Sequence, residues 1–308
     1  MSADPARWPQ PLRELRYALA EGDAVASPAG LRDRVVASAT AGRPPGEPSE
    51  IPPDITSVEV FGRTVDSLAG LLAGLTAAEW ARPALRHHDV QGVIGHLVGV
   101  EADFQRRLAG EPAQPLDADH IASTEAAASA QAGRPPEDTR AEWVAATAAT
   151  AERLARTDRA AFDAPVALYG VTLSLERWLL VRAFEMWTHE EDIRRAIGRP
   201  LLAPEPERLS PMTRLAVTLL PAGLSRADLS HPGCMARLVL TGGGGGTWSV
   251  PLGPDATPPA DVRVVMDAAD FCRVIADRYD PARVGVLIVG RQSLADDLFA
   301  AAAALAFD

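Results

Sequence analysis

The stretch that decides the fold is Arg182-Ala-Phe-Glu-Met-Trp-Thr-His-Glu-Glu-Asp-Ile-Arg-Arg-Ala-Ile-Gly198. Its apolar positions recur at helical intervals, and Gly198 followed by Pro200 marks the end of a helix. Glu185 and His189 are four residues apart. On a helix, two such side chains project from the same side about 5–6 Å apart. One divalent cation can bind both, so the stretch predicts a helix that carries two metal ligands.

A second helical segment supplies a third candidate ligand, His96. This segment begins at Asp89, a residue type suited to a helix N-cap, and carries apolar residues at helical spacing. Glycines surround the histidine at positions 92, 95 and 99. Each costs about 1 kcal/mol relative to alanine inside a helix, which indicates that a ligand or a neighbouring helix approaches this face closely. Two histidines and one glutamate leave a coordination position open on zinc, as in catalytic zinc sites.

Each feature taken alone also has an ordinary explanation. Glutamate and histidine four residues apart are solvated side chains in many helices. A single histidine on a partly apolar helix is more often a hydrogen-bonded core residue than a ligand. The metal hypothesis therefore depends on the combination of His96, Glu185 and His189.

The same residues resemble the mycothiol-dependent maleylpyruvate isomerase family. The resemblance lies in Gly-His-Leu at positions 95–97, followed about ninety residues later by Glu-x3-His-x2-Asp-Ile-Arg-x-Ala-x-Gly-x-Pro, which starts at Glu185. Residues 262–307 are similar to the small C-terminal domain of that family. The resemblance implies an N-terminal DinB-like four-helix bundle followed by a small α+β domain of sterol-carrier-like shape. It also implies that His96, Glu185 and His189 are the three metal ligands.

The chain departs from the family pattern at three positions. His88 stands where family members usually have tryptophan, and Gly92 stands where they have an acidic residue. Arg291 follows Gly290, where the family often has aspartate. These differences leave the substrate open.

The resemblance implies that mycothiol is the thiol cosubstrate and that the metal, expected to be zinc, favours its thiolate form. Addition of the thiolate to an activated double bond, rotation and elimination would isomerise a maleylpyruvate-like diacid. A reaction that stops after addition would be S-conjugation of an electrophile. Two further classes remain open from the residues: a metal-dependent hydrolase that uses no thiol, and a non-catalytic small-molecule binding protein.

Five further residues are candidates for this site. Arg182, Arg278 and Arg291 are candidate contacts to substrate carboxylates, because arginine pairs well with carboxylates. Arg291 is equally typical of a solvated charge at a helix end. Asp192 and His88 are candidate cofactor-binding residues, since both fall on the helical stripes that carry the ligands. For Asp192, a pair with a nearby arginine is the alternative.

The domain organisation follows from proline content and periodicity. Residues 1–54 are expected to form an extension ending in a proline-rich linker, residues 55–200 the bundle, and residues 233–308 the C-terminal domain. Residues 201–232 are expected to connect the two, with one helix at 211–220. Four main bundle helices are predicted at 54–75, 89–108, 138–156 and from 174 onward, with short helices also at 11–19 and 28–39. Strands are predicted at 237–241, 247–251, 262–266 and 284–289.

Composition limits the other functional classes. The chain has 308 residues, of which 47% are hydrophobic, so two ordinary domains with real cores are expected. Its formal charge of −11 disfavours nucleic acid as a partner. The two cysteines, far apart, indicate neither a disulfide framework nor a cysteine zinc site, and the amino terminus lacks the features of a signal peptide. We expect a cytoplasmic protein with no membrane span, whose oligomeric state the sequence does not give.

Overall fold

The computed structural model describes residues 52–111 and 120–305. The helices predicted at 11–19 and 28–39 lie outside the described residues. The N-terminal part contains six helices among the described residues: α1 (Ser57–Ala73), α2 (Ala77–Trp80), α3 (Val90–Leu108), α4 (His120–Ser129), α5 (Pro136–Ala155) and α6 (Leu175–Ala196). It also contains two short hairpins, β1 (Pro83–Leu85) with β2 (His88–Asp89) and β3 (Pro165–Leu168) with β4 (Val171–Ser174).

The C-terminal part is a four-stranded sheet packed against helices. It consists of α7 (Pro206–Arg226), β5 (Met235–Thr241), β6 (Gly246–Pro251), β7 (Val262–Asp267), α8 (Ala268–Ile275), β8 (Leu287–Gly290) and α9 (Gln292–Ala303). The strand order is β6-β5-β7-β8. Strands β5 and β7 are parallel, and the two outer pairs are antiparallel. The predicted fold class, a helical bundle followed by a small α+β domain, is confirmed.

The helices begin where the sequence provides caps. Thr56 and Glu59 form a capping box at the start of α1, and the Asp89 carboxylate accepts a hydrogen bond from the Gly92 amide at the start of α3. Ser174 caps α6 in the same way. The caps satisfy backbone N–H groups that otherwise lack helical partners, and they fix the first residues of the two helices that carry the candidate ligands.

The four main helices predicted for the bundle are present as α1, α3, α5 and α6, and one further bundle helix, α4, was not predicted. Its sequence is rich in alanine and shows no apolar stripe. It packs instead on the glycine face of α3. A Cβ placed on Gly95 would lie 2.5 Å from Gln131 Cγ, and one placed on Gly99 would lie 2.9 Å from Ala127 Cβ. Gly95 and Gly99 are therefore explained by the close approach of a helix, one of the two alternatives the sequence left open, whereas a Cβ on Gly92 would lie 2.8 Å from His88 Nδ1.

The segment expected to connect the two domains is instead part of the C-terminal core. Helix α7 runs well beyond the predicted 211–220, and its buried side chains include Met212 and Leu220. Pro206 stands in the first turn, where its missing N–H costs nothing, whereas Pro211 and Pro221 lie inside the helix. We attribute the tolerance of these interior prolines to the apolar surface that α7 buries against the sheet.

Helix α6 contacts both parts of the molecule. Trp187 packs in the C-terminal core, while Trp178 and Met186 pack in the bundle core. The Arg273 guanidinium on α8 donates to the buried Glu191 carboxylate at 2.6 and 2.9 Å. None of the helices in the described part of the chain combines the length and apolar character that a membrane crossing requires.

Candidate metal centre

The three predicted ligands meet between α3 and α6. One donor atom of each of His96, Glu185 and His189 lies within 4.8 Å of the other two. His96 Nε2 is 3.2 Å from Glu185 Oε1, and the two imidazole rings are 5.3 Å apart, almost perpendicular. All three side chains are largely buried, with 11% of His96, 14% of Glu185 and 2% of His189 exposed. Low exposure reduces competition from water for these donors.

The donor set fits a small divalent cation. Zinc binds imidazole nitrogen and carboxylate oxygen at about 2.0–2.2 Å, so neighbouring tetrahedral donors lie roughly 3.3–3.5 Å apart. The observed His96–Glu185 separation of 3.2 Å is close to this value. Two nitrogens and one oxygen suit zinc or a similar transition metal better than calcium or magnesium, which prefer oxygen ligands.

His96 is oriented by Thr124 on α4. Its Nδ1 atom lies 2.7 Å from the Thr124 hydroxyl, which is itself 3.2 Å from the Ile121 carbonyl. When the hydroxyl donates to that carbonyl, it accepts from Nδ1–H, and Nε2 then carries the electron pair that a metal requires. The close packing of α4 on α3 therefore also places Thr124 where it orients His96.

Arg182 orients Glu185 through the carboxylate oxygen that does not contact His96. The Arg182 guanidinium contacts the second oxygen of Glu185 and donates to Glu101 at 3.0 Å. Glu101 is fully buried and accepts from the Thr150 hydroxyl. Burial opposes the charged form of Arg182, but the Glu185 and Glu101 carboxylates raise its pKa, so the guanidinium stays charged. Arg182, a predicted substrate contact, thus lies where it orients a ligand.

His189 is held by a carboxylate in the same manner. Its Nδ1 atom is 3.2 Å from Asp192 Oδ2, and Arg278 donates to both Asp192 oxygens at 2.9 Å. Burial opposes ionisation of Asp192, but the hydrogen bonds and charges of His189 and Arg278 lower its pKa to about 2. An ionised carboxylate can only accept, so Nδ1 carries the proton and Nε2 the electron pair. Carboxylate, imidazole and metal commonly follow one another in this order.

His88 belongs to a second, more exposed group with His87 and Glu125. The Nε2 atoms of both histidines lie 3.3 Å from Glu125 carboxylate oxygens, and their rings are 4.0 Å apart. His87 is 65% exposed. His88 lines a small polar pocket together with His96 and His189, so it lies near the three candidate ligands without joining them.

The remaining candidates lie elsewhere. Arg291 is half-exposed at the start of α9, where it donates to Asp261 at 2.7 Å and contacts the Cys234 sulfur at 3.0 Å. Cys272 is buried in the C-terminal core, and burial raises its pKa to about 12. Its thiol therefore stays protonated and is no nucleophile at neutral pH.

Two pockets meet at the three ligands. The first is formed by α6, α7 and α8, is mostly apolar, has about 70 Å³ of space for the centres of water-sized molecules, and reaches Glu185 and His189. The second lies between α3 and α4, has about 10 Å³ of such space, roughly the room for one water molecule, and reaches His96 and His189. His189 lines both pockets, so both border the candidate centre.

Residues 61–194 match the model of a family described as the mycothiol maleylpyruvate isomerase N-terminal domain. The helical bundle is similar to this domain over most of its length. The matched segment runs from α1 to α6 and contains all three candidate ligands, so the family resemblance seen in the sequence is confirmed.

Two solved structures have a similar fold over most of their length. One is described as the crystal structure of the mycothiol-dependent maleylpyruvate isomerase. It is 16% identical, the match covers 73% of this chain and 89% of that one, and the TM-score is 0.52. The other, described as a histidine-to-alanine mutant of the mycothiol-dependent maleylpyruvate isomerase, is 15% identical, with coverages of 75% and 91% and a TM-score of 0.51. No curated protein sequence matches the chain.

Sequence reasoning named Arg182 and Asp192, the partners of Glu185 and His189, but missed Thr124, Glu101 and Thr150. Thr124 lies on the unpredicted helix, and Glu101 and Thr150 lie 81 and 32 residues from Arg182 in the chain. A buried glutamate and threonines on otherwise apolar faces were the available signals, but their partners depend on how the helices pack.

Proposed function

We propose that this chain is a zinc enzyme that uses the thiol of mycothiol to attack an electrophilic substrate. The observation that carries the proposal is the meeting of His96, Glu185 and His189, each held by a further buried partner. The domain family and the names of the two similar crystal structures support mycothiol as the thiol.

The three ligands leave a coordination position open. A zinc ion bound there would favour the thiolate form of a coordinated thiol near neutral pH. The surrounding charges suit a cation, because Glu101, Arg182 and Glu185 together carry one net negative charge. Arg278 and Arg195 pair with Asp192, which holds that carboxylate as the acceptor for His189 Nδ1 and would let Nε2 bind the metal.

The reaction proposed is addition of sulfur to an activated carbon–carbon double bond. A carbon–sulfur bond forms at one alkene carbon while the π electron pair moves to the neighbouring carbon. Protonation of that carbon gives a stable thioether and completes S-conjugation. Rotation followed by loss of the thiolate restores the double bond in the trans form and completes isomerisation. The ligands would play the same part in both outcomes.

The test uses the full-length, zinc-loaded protein with mycothiol and maleylpyruvate or diethyl maleate, with products separated by chromatography. We expect faster formation of trans isomer or thioether than with mycothiol alone. The acceleration should disappear in His96→Ala and His189→Ala variants, which should keep the helical circular dichroism of the wild type. Consumption of an ester substrate without mycothiol would instead indicate a hydrolase. Absence of turnover from a metal-loaded protein with every electrophile would favour a binding protein.

A further inference from the structure

The pocket formed by α6, α7 and α8 has the character of a site for an uncharged, apolar molecule. Nine of its twelve lining residues are apolar. They include Phe184, Met212, Leu215, Leu219, Ile275 and Leu305. The polar remainder is Glu185, His189 and Thr188, and none of the described residues that line the pocket is an arginine. The interior holds about 70 Å³ of space for the centres of water-sized molecules, several times what one water needs, so a small ligand can enter.

Three arginines on or next to α6 and α8 are already bound to carboxylates. Arg182 is buried between Glu185 and Glu101, and Arg278 is bound to Asp192 through two hydrogen bonds. Arg273 likewise donates twice to Glu191. A dicarboxylate that paired with one of these three arginines would displace its partner from a buried position, and the displaced carboxylate would be left without its counter-charge.

Solvation disfavours a dianion in this pocket. Moving a carboxylate from water into apolar surroundings without a partner is costly. With zinc and a thiolate bound as proposed, the charges of zinc, Glu185 and the thiolate would cancel, so the centre would offer a dianion no net attraction to offset this cost. Binding of an uncharged, apolar ligand is favoured instead, because its surface and the lining side chains are both removed from water.

The second pocket is narrow, and its lining includes the polar side chains Arg86, His88, Thr124 and Glu125. Mycothiol is a thiol attached to hydroxylated rings. Because His189 lines both pockets, we assign the polar part of the thiol to the surface around the second pocket and the electrophile to the apolar pocket.

We propose that the electrophile of this enzyme is an uncharged molecule with an apolar body, bound in the pocket between α6, α7 and α8, and that a maleylpyruvate-like diacid is a poor substrate. This inference rests on the proposed function. It assigns the specificity of the site to the apolar lining that α7 supplies, which includes Leu215 and Leu219.

The experiment compares electrophiles that share one cis double bond. Maleate, monoethyl maleate, and the dimethyl, diethyl and dipropyl esters are each mixed with mycothiol and the zinc-loaded, full-length protein. Each kcat/KM is divided by the rate constant of the uncatalysed reaction with mycothiol, which removes differences in intrinsic reactivity. We expect this ratio to rise about fourfold for each methylene that enters the pocket, the factor that corresponds to about 0.8 kcal/mol. Maleate should have the lowest ratio.

A pair of lysine variants tests the pocket directly. Leu219 lines the apolar pocket and is half-buried, whereas the neighbouring Thr218 is exposed and lies outside its lining. Leu219→Lys should lower the ratio for dipropyl maleate by about tenfold or more and raise that for maleate, since it replaces an apolar contact with a cation. Thr218→Lys adds the same charge to the same helix turn and should leave the order of the substrates unchanged.

The outcomes separate this inference from the function on which it rests. Acceleration that needs His189 but is greatest for maleate would overturn the inference and keep the thiol-addition function. No acceleration of any electrophile by metal-loaded protein would overturn the function itself.

Discussion

Replacement of Asp192 by asparagine should weaken zinc binding without removing a ligand. The carboxylate accepts from His189 Nδ1 at 3.2 Å and is fixed by two hydrogen bonds from Arg278. Asparagine keeps the shape but removes the charge that supports the protonated Nδ1 and the basic Nε2. Loss of such an outer partner typically lowers metal affinity 10- to 100-fold, or roughly 1.4–2.7 kcal/mol. The dissociation constant, measured by competition with a chromophoric chelator, should rise by that factor.

The matched control is Glu190→Gln. Glu190 is two residues away on the same helix, is equally buried and also pairs with an arginine, Arg194, but its other partner is Ser67 instead of a ligand. It should lose stability while it keeps wild-type zinc affinity. The reasoning fails if Asp192→Asn binds zinc as tightly as the wild type, or if Glu190→Gln weakens binding to the same extent.

Three further predictions concern packing, the thiol and pH. Gly95→Ala should lower the free energy of unfolding by about 1–3 kcal/mol, because its Cβ would overlap the backbone and side chains of α4; urea unfolding measures this, and an unchanged midpoint would contradict the close packing. Cys272→Ala should retain turnover, and native Cys272 should resist iodoacetamide at pH 8, since burial raises its pKa to about 12; rapid alkylation detected by mass spectrometry would refute this. In metal-free protein, the pKa of Asp192 is lowered from 3.8 to about 2 on folding, so its ionised form stabilises the fold by roughly 2 kcal/mol above pH 4 and less as the pH falls towards 2. The difference in unfolding free energy between wild type and Asp192→Asn should therefore shrink between pH 5 and pH 3, and a constant difference would exclude this contribution.

The ligand helix could be predicted because its information is local. Glu185 and His189 are one helical turn apart, so their proximity follows from the sequence alone. The glycines around His96 likewise indicated that a ligand or another helix packs closely on that face. Spacing within a helix is set by the chain itself. The meeting of α3 with α6 needed the family resemblance as well, since nothing local relates residues 89 positions apart.

The surroundings of the site could not be predicted because they depend on packing between distant segments. Arg182, Arg278 and Arg291 were candidates for substrate carboxylates because of their charge. The folded chain gives each of them a carboxylate of its own. Helix α4 was missed because an alanine-rich segment that packs on glycines has no apolar periodicity, and α7 was predicted too short because interior prolines usually end a helix.

The most direct test of the account is the metal content of the full-length protein, purified without added metal and analysed by inductively coupled plasma mass spectrometry. We predict about one zinc per chain in the wild type. The metal should be lost in His96→Ala, Glu185→Ala and His189→Ala and kept in His87→Ala, which alters only the exposed second group. A folded wild-type protein that contains no metal and fails to bind added zinc would contradict the account, as would loss of zinc from His87→Ala with retention in the other three variants.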